Sequence, residues 1–325
     1  MSMTRRRIAK LGAAAVAWPS VPRVSHAQAY PARPVHLVVT VPPGGSPDII
    51  ARLLGQYLSD RLGQPCVIEN RPGASANIGT EYVVNAAPDG YTALFTMSAN
   101  AINASLYHHL NYNFLRDMAP VAGVGGVPLV MVENLSFPPK TVPEFIAYAK
   151  ANPGKINMAL AGKGTPLDVA GELFKMMAGV DIAGVPYQGE APAVPDMMSG
   201  QVQIMFGAMP TSLGYIKGGK LRALAVTTTT RQDILPDVPA MAEFLPGYEA
   251  TGWYGIAVPK ATPPEIVATL NKAINAALAD PGVKARFAEL GCKPSGGSAA
   301  DFGRFIADET DKWGKVIKFA GITAD

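Results

Sequence analysis

Val35-His36-Leu37-Val38-Val39-Thr40-Val41-Pro42-Pro43-Gly44-Gly45-Ser46-Pro47-Asp48-Ile49-Ile50-Ala51-Arg52-Leu53-Leu54 is the stretch that decides how this chain is read. The apolar run at its start predicts a buried strand. Ile49, Ile50, Leu53, Leu54, Tyr57 and Leu58 then recur at helical spacing and predict an amphipathic helix. Ser46 stands where an N-cap hydroxyl is wanted, and Pro47 at the first helical position, where its missing N–H costs nothing. Asp48 complements the positive end of the helix dipole. A strand feeding a Gly-rich turn into a helix N-terminus leaves backbone N–H groups aimed beyond the strand end, a place for an anion.

Working outward, the same alternation continues from Tyr30 and favours an α/β design with a largely parallel sheet. Val67 to Asn70 reads as a strand, followed by small residues through Asn77 and a helix to about Ala86. Tyr91 to Met97 is a strand ending on Ser98-Ala99-Asn100. Val121 to Val132 is extended but broken by Gly123, Gly125, Gly126 and Pro128, which suits a chain crossing between two domains, and Gly252 to Val258 suits its return. Ile156 to Leu160, the turn Ala161-Gly162-Lys163-Gly164-Thr165-Pro166 and a helix to about Ala178 repeat the opening layout, with Thr165-Pro166 answering Ser46-Pro47 and Asp168 three residues after the cap. Thr262 and Glu265 are spaced as a capping box for a further helix.

With 325 residues and 48% hydrophobic content, the chain can bury one or two cores, and disordered or fibrous classes are excluded. Residues 1–29 read as an export signal: Arg5, Arg6, Arg7 and Lys10 precede a short apolar run to Trp18, with small residues at Ser25-His26-Ala27 or Ala27-Gln28-Ala29 for cleavage. The arginine pair leaves both the general secretory and the twin-arginine routes open. Removing that leader takes five of the 28 basic residues and no acids. The 23 that remain against 25 acidic residues give a net of −2, so a nucleic-acid footprint is not supported. Cys66 and Cys292 are either a disulfide or two small buried hydrophobes.

Chemistry-bearing motifs are scarce. The chain has no Gly-x-Ser-x-Gly elbow, no His-Glu-x-x-His and no zinc-spaced Cys/His cluster, and His36, His108 and His109 read as structural or surface residues. Gly214 to Lys220 imitates a phosphate loop but ends in Leu221, where a magnesium-binding hydroxyl would stand, and reads as a turn. No Gly-x-Gly-x-x-Gly follows the first strand. Neither a metal nor a cofactor is expected, nor an enzyme. What remains is a set of small-residue loops at strand ends, able to hold a carboxylate through backbone N–H and hydroxyl groups.

Several motifs, in order, resemble the Bug family of periplasmic receptors, the TctC-like solute-binding components of tripartite tricarboxylate transporters. They are Tyr30-Pro31-Ala32-Arg33-Pro34-Val35, Pro42-Pro43-Gly44-Gly45 with Asp48, Glu69-Asn70-Arg71-Pro72-Gly73-Ala74, Ala87-Pro88-Asp89-Gly90-Tyr91-Thr92, Val185-Pro186-Tyr187, Gly200-Gln201-Val202, Leu221 to Thr227, Pro236-Asp237-Val238-Pro239 and Pro246-Gly247-Tyr248-Glu249. The resemblance implies a two-domain periplasmic binding protein, type II-like, each domain a mixed, mostly parallel sheet flanked by helices, joined by a hinge with the ligand cleft between. The divisions expected are a cleaved signal at 1–29, a first domain from 30–127 and 249–325, and a second from 128–248.

The family's ligand loops fall on Pro43, Gly44, Gly45 and Ser46; Ala74, Ser75, Ala76 and Asn77; Ser98 and Asn100; Gly162, Lys163, Gly164 and Thr165; Tyr187, Gly189 and Ala191; and Gly207 and Ala208. Three positions depart from the family pattern. Asp168 stands where His is frequent, and Lys163 is either a partner for a second carboxylate or a solvated loop residue. Gly207 stands where many members carry Asp, so the site is expected to lack a counter-charge for an amino group and to suit a non-amino mono- or dicarboxylate. The expected role is capture by a periplasmic monomer and delivery to membrane permease subunits. The rivals are presentation of the ligand to a membrane signalling kinase and an enzyme that uses the cleft.

Overall fold

The computed structural model describes residues 30–107, 109–162 and 164–320; the expected leader, His108 and Lys163 lie outside them. The chain runs β1 (Val35–Val39), α1 (Ser46–Leu62), β2 (Cys66–Asn70), α2 (Asn77–Val84), β3 (Thr92–Met97), α3 (Ser98–Leu106), α4 (Phe114–Asp117) and β4 (Met118–Asn134). It continues with α5 (Val142–Ala151), β5 (Asn157–Leu160), α6 (Pro166–Ala178), β6 (Ala183–Pro186), α7 (Glu190–Ser199), β7 (Ile204–Ala208), α8 (Met209–Lys217) and β8 (Leu221–Val226). The last part is β9 (Thr251–Pro259), α9 (Pro264–Ala279), α10 (Pro281–Glu289), β10 (Lys293–Gly296) and α11 (Ala299–Ala320).

The strands join in one mixed sheet of order β2-β1-β3-β9-β4-β7-β5-β6, with β8 and β10 also paired to β4. β1 is parallel to β2 and β3, and β5 is parallel to β6 and β7. These two parallel wings meet on antiparallel strands. β4, 17 residues long, pairs with β9 as far as Pro128 and from Leu129 onward pairs with β7 and then β8. Both wings therefore share it. Two of the glycines within β4, Gly123 and Gly125, answer a packing need: a Cβ on Gly125 would lie 2.7 Å from the carbonyl oxygen of Lys293 in β10. At the junction Thr227 ties three passages of chain together. Its N–H and hydroxyl reach Leu129 O, its hydroxyl also reaches Ala250 O, and its own carbonyl accepts from Ala250 N.

Each wing has its own core. Val38, Leu94, Ile102, Leu106, Trp253 and Trp313 fill the first; Val130, Val132, Met197, Met205 and Val226 fill the second. Phe145, Phe174 and Phe206 add a run of tilted rings with centroids 5.8 Å apart. A side chain of that size, fully buried, contributes about 1.5–3 kcal/mol.

Three sequence readings resolve here. The Thr262 capping box does not form: Pro263 is the N-cap position and Pro264 opens α9, so the two prolines set the start, while the Thr262 N–H turns back to Pro259 O. Cys66 and Cys292 are unpaired, and burial pushes their thiols up to about 11 and about 12, which keeps them neutral. The segment from Gly214 to Lys220 closes α8 and turns into β8.

Glu133, with a fully buried side chain in β4, meets Arg222 of β8 at 2.5 Å. Burial pushes its carboxyl up to about 7 despite that partner. Folding therefore favours the protonated form, and this group's contribution to stability falls as pH rises from the unfolded carboxylate range through 7. Arg222→Met is expected to lose about 3–5 kcal/mol at pH 8, where a charged carboxylate is stranded, and much less at pH 5, as read by urea unfolding at the two pH values.

Candidate ligand-binding site

Two turns face each other with the same internal bond. In the first, Gly45 is the N-cap, and Asp48 Oδ2 accepts from Gly44 N at 2.9 Å and from Arg52 Nε at 2.9 Å. Burial alone would raise the Asp48 carboxyl, but the hydrogen bonds from Arg52, Gly44 and Asn70 outweigh it and hold the group below its ordinary value. In the second, Thr165 is the N-cap as expected, accepting from Asp168 N, and Asp168 Oδ2 accepts from Gly164 N at 2.7 Å. Gly44 and Gly164 both have positive φ, 84° and 72°. The correspondence is thus Gly45 with Thr165, one residue away from the expected pairing of Ser46 with Thr165. Ser46 does not cap: it lies inside the first turn, fully buried, and its Oγ accepts from the hydroxyl of Tyr254 at 2.7 Å.

The third element is Ala74-Ser75-Ala76, three consecutive non-glycine residues with φ of 45°, 49° and 81°. Such conformations cost on the order of 1–3 kcal/mol each and persist only where the surroundings enforce them. A buried polar network does so here. Asn103 Nδ2 donates to Ser75 O at 2.6 Å and to Asn77 Oδ1, which also accepts from Tyr112 Oη. Thr80 Oγ1 donates to Ala76 O and accepts from Asn100 Nδ2, whose own Oδ1 takes Thr96 Oγ1 and Met97 N. Left-handed Ala76 is followed by right-handed Asn77, a backbone pattern that can cup an anion, and here the Asn77 N–H itself returns to Ala74 O.

These turns enclose two adjoining cavities. The inner one, about 60 Å³, is mainly apolar, lined by Val41, Pro47, Met97, Leu129, Ala191 and Ala208, with Ser98, Thr165, Glu190 and Tyr254 as its polar members. That is several times the roughly 10–15 Å³ one water needs. The outer one, about 200 Å³, is lined by Thr40, Ala74, Ser75, Ala76, Gly162 and Tyr187, and shares Val41, Met97, Ala161, Thr165 and Gly189 with the first. Among the described residues no lysine, arginine or histidine lines either cavity. Helix N-termini surround them instead.

Of the residues expected at the site, the structure brings Gly45, Ser98, Thr165, Gly189, Ala191 and Ala208 to the inner cavity and Ala74, Ser75, Ala76, Gly162 and Tyr187 to the outer one. Pro43, Gly44, Ser46, Asn77, Asn100, Gly164 and Gly207 do not line it. Asn77 and Asn100 are committed to the network beneath the loop, and Gly164 is packed on Leu106. Gly207 is shielded by Ser212 and Glu190. Lys163 is outside the described residues.

Glu190 lies inside the expected Tyr187 to Ala191 loop but was not singled out from the sequence. It is buried at the first position of α7, its Oε2 accepts from Ala208 N at 3.0 Å, and that oxygen lies 3.7 Å from where a Cβ on Gly207 would be. A carboxyl from α7 therefore stands beside position 207 of β7, and because burial pushes it up to about 7 it is a weaker counter-charge for an amino group than an ordinary carboxylate.

Residues 50–322 match the tripartite tricarboxylate transporter family receptor, TctC. The chain is 40% identical over 298 residues to protein BugT of Bordetella pertussis, covering 91% of each. Its structure resembles that of R. palustris Rpa4515 with adipate, at 36% identity and a TM-score of 0.88 over 90% of this chain and 99% of the other. It also resembles MatC from Rhodopseudomonas palustris with bound malate, at 32% identity and a TM-score of 0.84 over 89% and 100%. The extent of these matches and the two-winged sheet with its cleft lead to one assignment: the chain belongs to the TctC family of tripartite tricarboxylate transporter receptors, periplasmic solute-binding proteins of the two-domain fold and not enzymes.

Proposed function

We infer that this receptor captures a small non-amino mono- or dicarboxylate between its two domains and delivers it to the membrane subunits of a tripartite tricarboxylate transporter, after export directed by residues 1–29. The observation that carries this reading is the strained Ala74-Ser75-Ala76 loop, held at the outer cavity by a buried network, in a cavity that no cationic side chain lines among the described residues. One carboxylate fits there, and the apolar inner chamber takes the carbon chain. The relatives with adipate and malate support a dicarboxylate in particular. The division into 30–127 with 249–325 against 128–248 agrees with the point at which β4 changes partners.

Closure follows from contacts across that division. A Cβ on Gly164 would run into Leu106 Cδ2, and one on Gly44 would touch Ala191 Cβ at 3.8 Å. Each glycine turn thus lies against a helix side chain from across that division, with no room or little room for a Cβ of its own. A ligand that binds this arrangement better than an opened one shifts the population towards it.

Two outcomes are expected. In a thermal-shift screen, straight-chain dicarboxylates raise the melting temperature, with about 2.7 kcal/mol of stabilisation at a hundred times the dissociation constant. Aspartate or glutamate binding more tightly than succinate or glutarate would overturn the non-amino reading. Gly164→Ala, strained by its φ of 72° and by Leu106, is expected to lose at least tenfold in affinity and to abolish the ligand-induced fall in radius of gyration seen by X-ray scattering. Unchanged affinity and compaction in that variant would count against closure at this contact.

A further inference from the structure

The inner chamber offers a ligand few protons. Tyr254 donates its hydroxyl proton to Ser46 Oγ, Thr165 donates to Gly162 O, and Ser98 donates to Trp253 O. Glu190 is the remaining polar side chain lining the chamber among the described residues, and no cationic side chain is paired with it there. Oε2 is held by the Ala208 N–H and the Thr211 hydroxyl lies against the same carboxyl, whose remaining hydrogen-bonding capacity is what is left to meet whatever fills the chamber.

We propose that Glu190 reads the far end of the ligand: its neutral carboxyl donates a hydrogen bond to the second carboxylate of a dicarboxylate whose first carboxylate lies at the Ala74-Ser75-Ala76 loop. This rests on the carboxylate reading above and deepens it. A hydrogen bond between a carboxylic acid and a carboxylate is charge-assisted and short, and it stabilises a second negative charge in an apolar chamber without a lysine or arginine. Two ionised carboxylates in the same place would repel, so the bond exists only while one proton is retained between them.

The surroundings suit that role. Burial pushes the Glu190 carboxyl up to about 7, against the downward pull of the Ala208 N–H and the Thr211 hydroxyl. The titratable groups nearby are Tyr254 of β9, with Cys292 behind it, and the carboxylates of Asp48 and Asp168 in the two turns that bound the chamber. Burial raises the Tyr254 and Cys292 groups well above neutrality, so both stay uncharged while Glu190 titrates. Asp48 and Asp168 are already bonded to the glycine N–H groups. A bound dianion would hold the proton on Glu190 to still higher pH, whereas a ligand ammonium would drive it off.

The test is calorimetric titration of the protein and of Glu190→Gln with succinate, glutarate and adipate, each against the monocarboxylate of equal chain length, from pH 6.5 to 8.5, where these dicarboxylates are themselves mostly dianions. Wild-type affinity for the best dicarboxylate is expected to fall, approaching tenfold per pH unit at the alkaline end, while that for its monocarboxylate stays level. Glu190→Gln keeps an N–H donor at the same place, so it should bind that dicarboxylate within a few-fold of wild type at pH 6.5 and show no slope. A level wild-type profile, or the same slope in the variant, would overturn the proposal, as would glutamate binding that strengthens with pH. Should the variant fail to fold, judged by its melting curve, the paired wild-type slopes decide alone. Absence of binding by every mono- and dicarboxylate at every pH would instead remove the carboxylate reading on which the proposal stands.

Discussion

A carboxylate three residues inside a helix, accepting the N–H of the glycine just ahead of the cap, shapes both turns that bound the cleft. Asp48 does this for Gly44 and Asp168 for Gly164. The bond fixes the bend from strand to helix, and the left-handed glycine in each turn lets a side chain from α3 or α7 pack directly against it. Glu190 repeats the device across elements by taking the Ala208 N–H. Three loop amides are thus answered by the protein's own acids, and this changes where an external anion can be held. The positive ends of α1 and α6 are already partly neutralised. The Ala74-Ser75-Ala76 loop is organised instead by neutral asparagine, threonine and tyrosine groups.

Much of the fold was legible from hydrophobic periodicity and turn chemistry, since those are local. The alternation of strand and helix, the Thr165 cap and the extended runs through the β4 glycines and from Gly252 all stand in the structure. The failures share a cause. Ser46 looked like a cap because it precedes a proline and an acid, but Tyr254, 208 positions away, takes its hydroxyl. Asn77 and Asn100 sit in small-residue loops and looked like ligand contacts, yet Tyr112, Asn103, Thr80 and Thr96 claim their amides. A polar side chain in a turn has a local and a distant suitor, and spacing reveals only the first. The site was legible as a set of loops and not as a set of contacts, because residues beneath a strained loop and residues facing the cleft alternate within a few positions.

Gly207 shows the same limit in electrostatic form. The absence of a carboxylate at one position says little about charge in the space around it, because a side chain from α7 reaches that space from 17 positions earlier in the chain. What differs is the state of the acid. A carboxyl deep in an apolar chamber and without a cation resists ionisation, since desolvation acts on the charged form alone. Moving an acid from the end of β7 to the first turn of α7 therefore does more than relocate a charge. On the proposal made for Glu190, it replaces a fixed anion, suited to an ammonium, by a group that accepts or donates according to what lies against it, so that the cleft's preference would follow from the charge of the ligand's far end as much as from its shape.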